Sequence, residues 1–147
     1  EIGVRLVGSE MCIRDSSMET RKPADLLTLH GGSITDYVCQ KDCPIAKPGR
    51  IKVEEQQVLD EYKIRYSDID LNGHVNSVKY IEHILDLFPM EWFRQKTVKR
   101  FEVAYVAESY YGDTLSFYRQ QISENEFDIE VKKNGQEVVV RSKVIFN

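Results

Sequence analysis

Four side chains able to do chemistry crowd into Ser67-Asp-Ile-Asp-Leu-Asn-Gly-His-Val-Asn-Ser77: Asp68, Asp70, Asn72 and His74. Counted from Asp68, the run fits the first six positions of a calcium-binding loop, Asp-x-[Asp/Asn]-x-[Asp/Asn]-Gly, and Val75 meets its apolar eighth position. Position twelve of such a loop is a bidentate Glu; here it is Lys79, a cation where the ion needs two oxygens. The preceding residues also read as a strand where that motif requires a helix, so no metal site is expected. A polar turn is the plainest reading, because Asp, Asn and Gly are what any strand-to-helix turn carries. Yet Asp70, Asn72 and His74 alternate, and in an extended loop alternate side chains project to one side. They stand just ahead of a helix start, around Val75, Asn76 and Ser77, whose free N–H groups favour developing negative charge. A carboxylate, an amide, an imidazole and such a helix end are the parts needed to hydrolyse an activated acyl group.

The flanking elements must position those parts. "EYKIRY" alternates like a strand, with Tyr62, Ile64 and Tyr66 on one side. "SVKYIEHILDLFP" has helical spacing, with Val78, Ile81, Ile84, Leu85 and Phe88 in one stripe and Lys79, Glu82 and Asp86 opposite. Asn76 or Ser77 suits the N-cap, and Pro89 stops the helix. "KRFEVAYVAES" then alternates with Phe101, Val103, Tyr105 and Ala107 on one face, and "DTLSFYRQQIS" follows a turn at Tyr110–Asp113. Asn134-Gly135 predicts a hairpin, since a type I′ turn needs positive φ at both central residues. That turn sets a register in which Lys132 faces Glu137, Asp128 faces Arg141 and Glu126 faces Lys143, with Val131/Val138 and Ile129/Val140 on the other face. The order is β-α-β-β-β-β, an α+β domain in which an antiparallel sheet packs against one apolar helix.

Ahead of this domain, assigned to residues 60–147, the pattern loosens. Residues 18–59 carry "RKPADLL", "LHGGS" and "CPIAKPGR", a run of turn signals too long for an ordinary connection, and read as an arm that packs on something else. Within residues 1–17, Met11-Cys-Ile-Arg-Asp-Ser16 resembles the translation of a sequencing-library adaptor, and the segment is set aside as non-native. The net charge of −4 argues against a nucleic-acid partner, which needs a basic surface. No apolar run approaches the ~20 residues of a membrane span. The three cysteines form no Cys-x-x-Cys pair, and Cys39 and Cys43 have no His at ligand spacing, so a reducing, cytoplasmic compartment is expected.

The run "RYSDIDLNGHVNSVKYIEHILDLFP" resembles the hotdog-fold thioesterases, whose helix-start motif is Asp-x-Asp-x-x-x-His-Val-Asn-Asn. More closely it resembles the second half of the acyl-acyl carrier protein thioesterases of plants and bacteria. "ETRKPADLL" is similar to the linker between that family's two hotdog repeats, and "VAYVAES" to its strand carrying a Glu-Cys pair. The resemblance implies a hotdog fold, hydrolysis of fatty acyl thioesters in the bacterial cytoplasm, acyl carrier protein as partner, and no cofactor. It places the catalytic groups at Asp70, Asn72, His74 and Glu108. Ser109 stands where plant members often have Cys, which removes a Cys-His-Asn mechanism and leaves a carboxylate one. It also implies a missing first repeat, replaced by a second copy or leaving the fragment inactive. An acidic carrier would seek a basic patch, for which Arg94, Lys96, Lys99 and Arg100 are candidates beside the simpler reading of a solvated turn. A single-hotdog acyl-CoA thioesterase and a non-catalytic acyl-binding hotdog are the competing readings.

Overall fold

The computed structural model describes residues 45–46, 48–54 and 57–147. Residues 48–147 belong to one compact unit, which takes in positions that the sequence assigns to the arm. Strand β1 (Asp60–Lys63) leads through a 3₁₀ turn at Tyr66–Asp68 to helix α1 (Ser77–Asp86) and a short helix α2 (Met90–Gln95). Then come β2 (Val98–Tyr105), β3 (Thr114–Ser123), β4 (Glu126–Lys133) and β5 (Glu137–Phe146). The strands form one antiparallel sheet ordered β1-β3-β4-β5-β2, with α1 against one face. This is the expected α+β hotdog arrangement with one addition, α2. Trp92 explains that helix: its ring meets Phe127 at 5.3 Å and Phe146 at 5.1 Å, extending an aromatic cluster begun by Phe88.

The core lies between α1 and the sheet. Ile84, Leu115, Ile129, Val131, Val140 and Val144 are fully buried there, and Phe101, Val103, Tyr105 and Ala107 pack against them as their alternation predicts. Two apolar assignments differ. Of the expected stripe, Ile84 and, just past the helix, Phe88 are buried as read, but Val78 is 52% exposed and Tyr80 turns inward instead, so the buried side is shifted toward Tyr80. β1 ends at Lys63, and Tyr66, now in the 3₁₀ turn, is exposed rather than sharing a face with Tyr62 and Ile64.

The hairpin turn is where it was expected, with Asn134 at φ 52° and Gly135 at φ 71°. Its register is not. Lys133 pairs with Glu137 and Lys132 with Val138; then Val139 is skipped, so that Val131 meets Val140 and Glu130 meets Arg141. The bulge places Val139 fully buried and its carbonyl within reach of the Val106 and Ala107 N–H groups. Of the expected charge pairs, Glu126 keeps Lys143, which also takes Asp128 at 3.1 Å, while Arg141 pairs with Glu130 at 3.0 Å. These pairs lie on the face away from α1. Residues 48–54 cross that face, with Gly49 N–H on Glu102 Oε2, Ile51 buried, and Glu54 N–H on Gln120 Oε1.

Candidate active site

The loop between β1 and α1 is closed rather than extended. Asp70 N–H donates to the His74 carbonyl at 2.8 Å, and Gly73 N–H to the Asp70 carbonyl at 3.1 Å, with Gly73 at φ 83°. The Asp70 carboxylate folds into this turn, its Oδ1 accepting the N–H groups of Asn72 at 2.8 Å and His74 at 3.2 Å. Such side-chain-to-backbone bonding two residues on is what Asp does best in turns. The premise of three side chains aligned along an extended loop is therefore corrected: Asp70 is a turn-former as well as a charge. Asp68, the first acid of the calcium-like run, is buried and engaged elsewhere, accepting from Tyr62 O–H at 2.9 Å and from Arg65 N–H at 2.8 Å. Burial, then that bond to Asp68, pushes the Tyr62 phenol above its usual range. Lys79 pairs with Glu82 at 2.8 Å.

Glu108 follows the end of β2 and reaches the loop from the sheet. Its Oε2 lies 3.3 Å from His74 Nε2, bringing together two residues thirty-four positions apart. The backbone makes the same junction, since Val75 N–H donates to the Ser109 carbonyl at 2.9 Å. His74 is mostly shielded and Glu108 about half exposed, so the pair is open to a substrate on its carboxylate side. Tyr110, which sequence reasoning passed over, completes the group: its O–H donates to Glu108 Oε2 at 3.0 Å, and its ring meets His74 edge to face at 5.3 Å. Its position two residues beyond Glu108 was the available signal.

Asn72 is exposed and, with Asp70, lines an open hollow bordered by Tyr66, Leu71 and Asn76. His74 and Glu108 lie outside that hollow. The geometry thus joins His74 to Glu108 directly and Asp70 to His74 through the backbone, leaving Asn72 at the rim.

The proposed oxyanion donors narrow to one. Val75 N–H is taken by Ser109, and Asn76 N–H by the Asp68 carbonyl at 2.8 Å. The Asn76 side chain caps α1, accepting from Val78 N–H at 2.9 Å, and Lys79 N–H turns back to the Asn76 carbonyl. Only the Ser77 N–H, at the first helical position, has no acceptor among the described residues. Under this segment sit Tyr80 O–H and Ser109 Oγ, both buried. Burial holds the Tyr80 phenol above its usual range.

Half of the basic stretch is committed to the fold. Lys96 Nζ sits 4.2 Å from the Trp92 ring centre and donates to Asn125 Oδ1, and Arg100 pairs with Glu102. Arg94, in the last turn of α2, and Lys99, at the irregularity of β2 between Val98 and Arg100, are alone of the four exposed. The Thr-Arg of the linker-like run and all three cysteines lie outside the described residues, as do residues 1–17.

A family model, the acyl-ACP thioesterase C-terminal domain, matches residues 51–147. Dodecanoyl-[acyl-carrier-protein] hydrolase, chloroplastic, of Cinnamomum camphora is 30% identical over 79 residues, which cover 53% of this chain and 21% of that protein. Among solved structures, an acyl-ACP thioesterase from Bacteroides thetaiotaomicron superposes with a TM-score of 0.82 at 62% identity, covering 90% of this chain and 53% of that one. The 12:0-ACP thioesterase from Umbellularia californica gives a TM-score of 0.63 at 20% identity, covering 90% and 51% respectively, and shares the fold. The chain therefore spans about half the length of these two solved structures.

Proposed function

Because the chain belongs to the acyl-acyl carrier protein thioesterase family, we propose that it carries the catalytic groups for hydrolysing the thioester of a fatty acyl-carrier protein. The observation that supports this most is the approach of His74 Nε2 to Glu108 Oε2 beside a helix start. A thioester carbonyl is already activated, so the protein has mainly to place water and receive negative charge. Asp70 has an oxygen committed to two backbone N–H groups, whereas the Glu108 carboxylate faces the opening. Glu108 is accordingly the base that takes a proton from water as its oxygen bonds to the acyl carbon. The carbonyl oxygen gains the charge and turns to the Ser77 N–H, with the Asn72 amide orienting the acyl group from the rim. As the carbon–sulfur bond breaks, the proton passes through His74 to the leaving sulfur, giving a free fatty acid and a carrier thiol. Asp70 fixes the turn that presents His74 and adds its charge to the network.

The test compares one acyl group on carrier protein and on coenzyme A, with free fatty acid as the readout. Faster release from the carrier is expected, together with a turnover lowered about a hundredfold or more, though still measurable, in Glu108→Gln. Preference for coenzyme A would replace the donor assignment. Binding of the acyl chain with no turnover of either thioester would make the chain an acyl-binding module.

A further inference from the structure

Glu108 is about half exposed, and a long side chain in that position loses considerable rotamer freedom when held in one pose. Something must hold its carboxylate toward the imidazole. We propose that Tyr110 is a positioning residue for the His74–Glu108 pair, its hydroxyl fixing the carboxylate at 3.0 Å while its ring rests against the imidazole at 5.3 Å. This extends the thioesterase reading given above and rests on it for the reaction, though not for the contact itself.

Tyr110 is itself built into place. Its N–H donates to Asp113 Oδ2 at 2.9 Å, and Asp113 N–H returns to the Tyr110 carbonyl at 3.2 Å, closing a turn in which Gly112 has φ 89°. The other Asp113 oxygen accepts from Asn134 Nδ2 at 3.0 Å, and the Asn134 carbonyl oxygen of the side chain accepts Thr114 N–H at 2.9 Å. The hairpin turn thus braces the Tyr110 turn. From the next position Lys133 Nζ donates to the Glu108 carbonyl at 3.0 Å and stands 5.8 Å from the Tyr110 ring centre. Both ends of the Glu108–Tyr110 segment are anchored to one rigid hairpin end, so the phenol meets the carboxylate in a defined pose.

Tyr110→Phe keeps the ring against His74 and removes the donor. In the full chain its kcat should fall about tenfold with KM little changed, since a hydrogen bond to a charged group is lost. In a Glu108→Gln background the same change should cost nothing further, because a residue acting through Glu108 has nothing left to position. Additive losses in that cycle, or a Tyr110→Phe variant as fast as the parent, would overturn the assignment. The contact is also read without turnover, from the NMR signals of the His74 ring. Tyr110→Phe should shift them in the parent and leave them unmoved in Glu108→Gln. If the parent hydrolyses no thioester, the hydrolase reading fails and the NMR cycle still decides the role of Tyr110: unmoved signals in the parent background would reject it.

Discussion

At the scale of single residues, Asp70 has two separable tasks. Its Oδ1 holds two backbone N–H groups, and its charge stands one turn from His74. Asp70→Asn keeps an oxygen acceptor in the same place and removes only the charge. Turnover should fall by orders of magnitude while Tm stays nearly unchanged; full activity would reduce Asp70 to a turn-former. Asp70→Ala removes the acceptor as well and should additionally cost about 1 kcal/mol of stability, measured by denaturant unfolding. The residue types were legible in the sequence because their spacing and the adjoining helix start restrict what they can do. The direction of the Asp70 carboxylate was missed although Asn72-Gly73 is itself a turn signal: the alternation suggests an extended loop, which a positive φ at Gly73 closes.

The elements show the same division between what local pattern specifies and what packing decides. Asn134-Gly135 announced its turn because few other residues tolerate positive φ. The register past it depended on the Val139 bulge, which goes with burial of that side chain and with the approach of Val106 and Ala107, residues just past the end of β2 and distant in sequence. Helix α1 was recognised from its periodicity, but its buried stripe is fixed by Tyr80 rather than Val78. A tyrosine deep in the core ties stability to pH. Its phenol, held above its ordinary range by burial, is neutral in the folded chain when the unfolded chain begins to ionise. That contribution is complete below about pH 10 and is lost as pH rises through the folded-state value. The parent Tm should therefore decline above pH 10, and Tyr80→Phe should decline less steeply. It should still decline, since Tyr62 is raised in the same direction. Parallel curves for parent and variant, measured by calorimetry, would remove Tyr80 as a source.

On the scale of the whole molecule, the described unit hides its sheet core well and leaves apolar side chains exposed on the loop before α1 and on its first turn. Tyr66 is 87% exposed, Leu71 fully so, and Val78 52%. Tyr66 and Leu71 border the hollow that also holds Asp70 and Asn72, so this surface adjoins the catalytic loop. Soluble proteins seldom leave clustered apolar side chains wet unless something covers them. This chain covers 53% and 51% of the two acyl-ACP thioesterase structures it superposes on. The expected consequence is self-association through the uncovered surface. Sedimentation velocity should show a coefficient that rises with protein concentration, and Leu71→Glu with Val78→Glu should abolish that rise. Both positions are outside the core, so Tm should be unaffected. A concentration-independent coefficient in the parent would mean that the surface stays hydrated in a monomer, and loss of Tm in the double variant would mean that it belongs to the fold rather than to an interface.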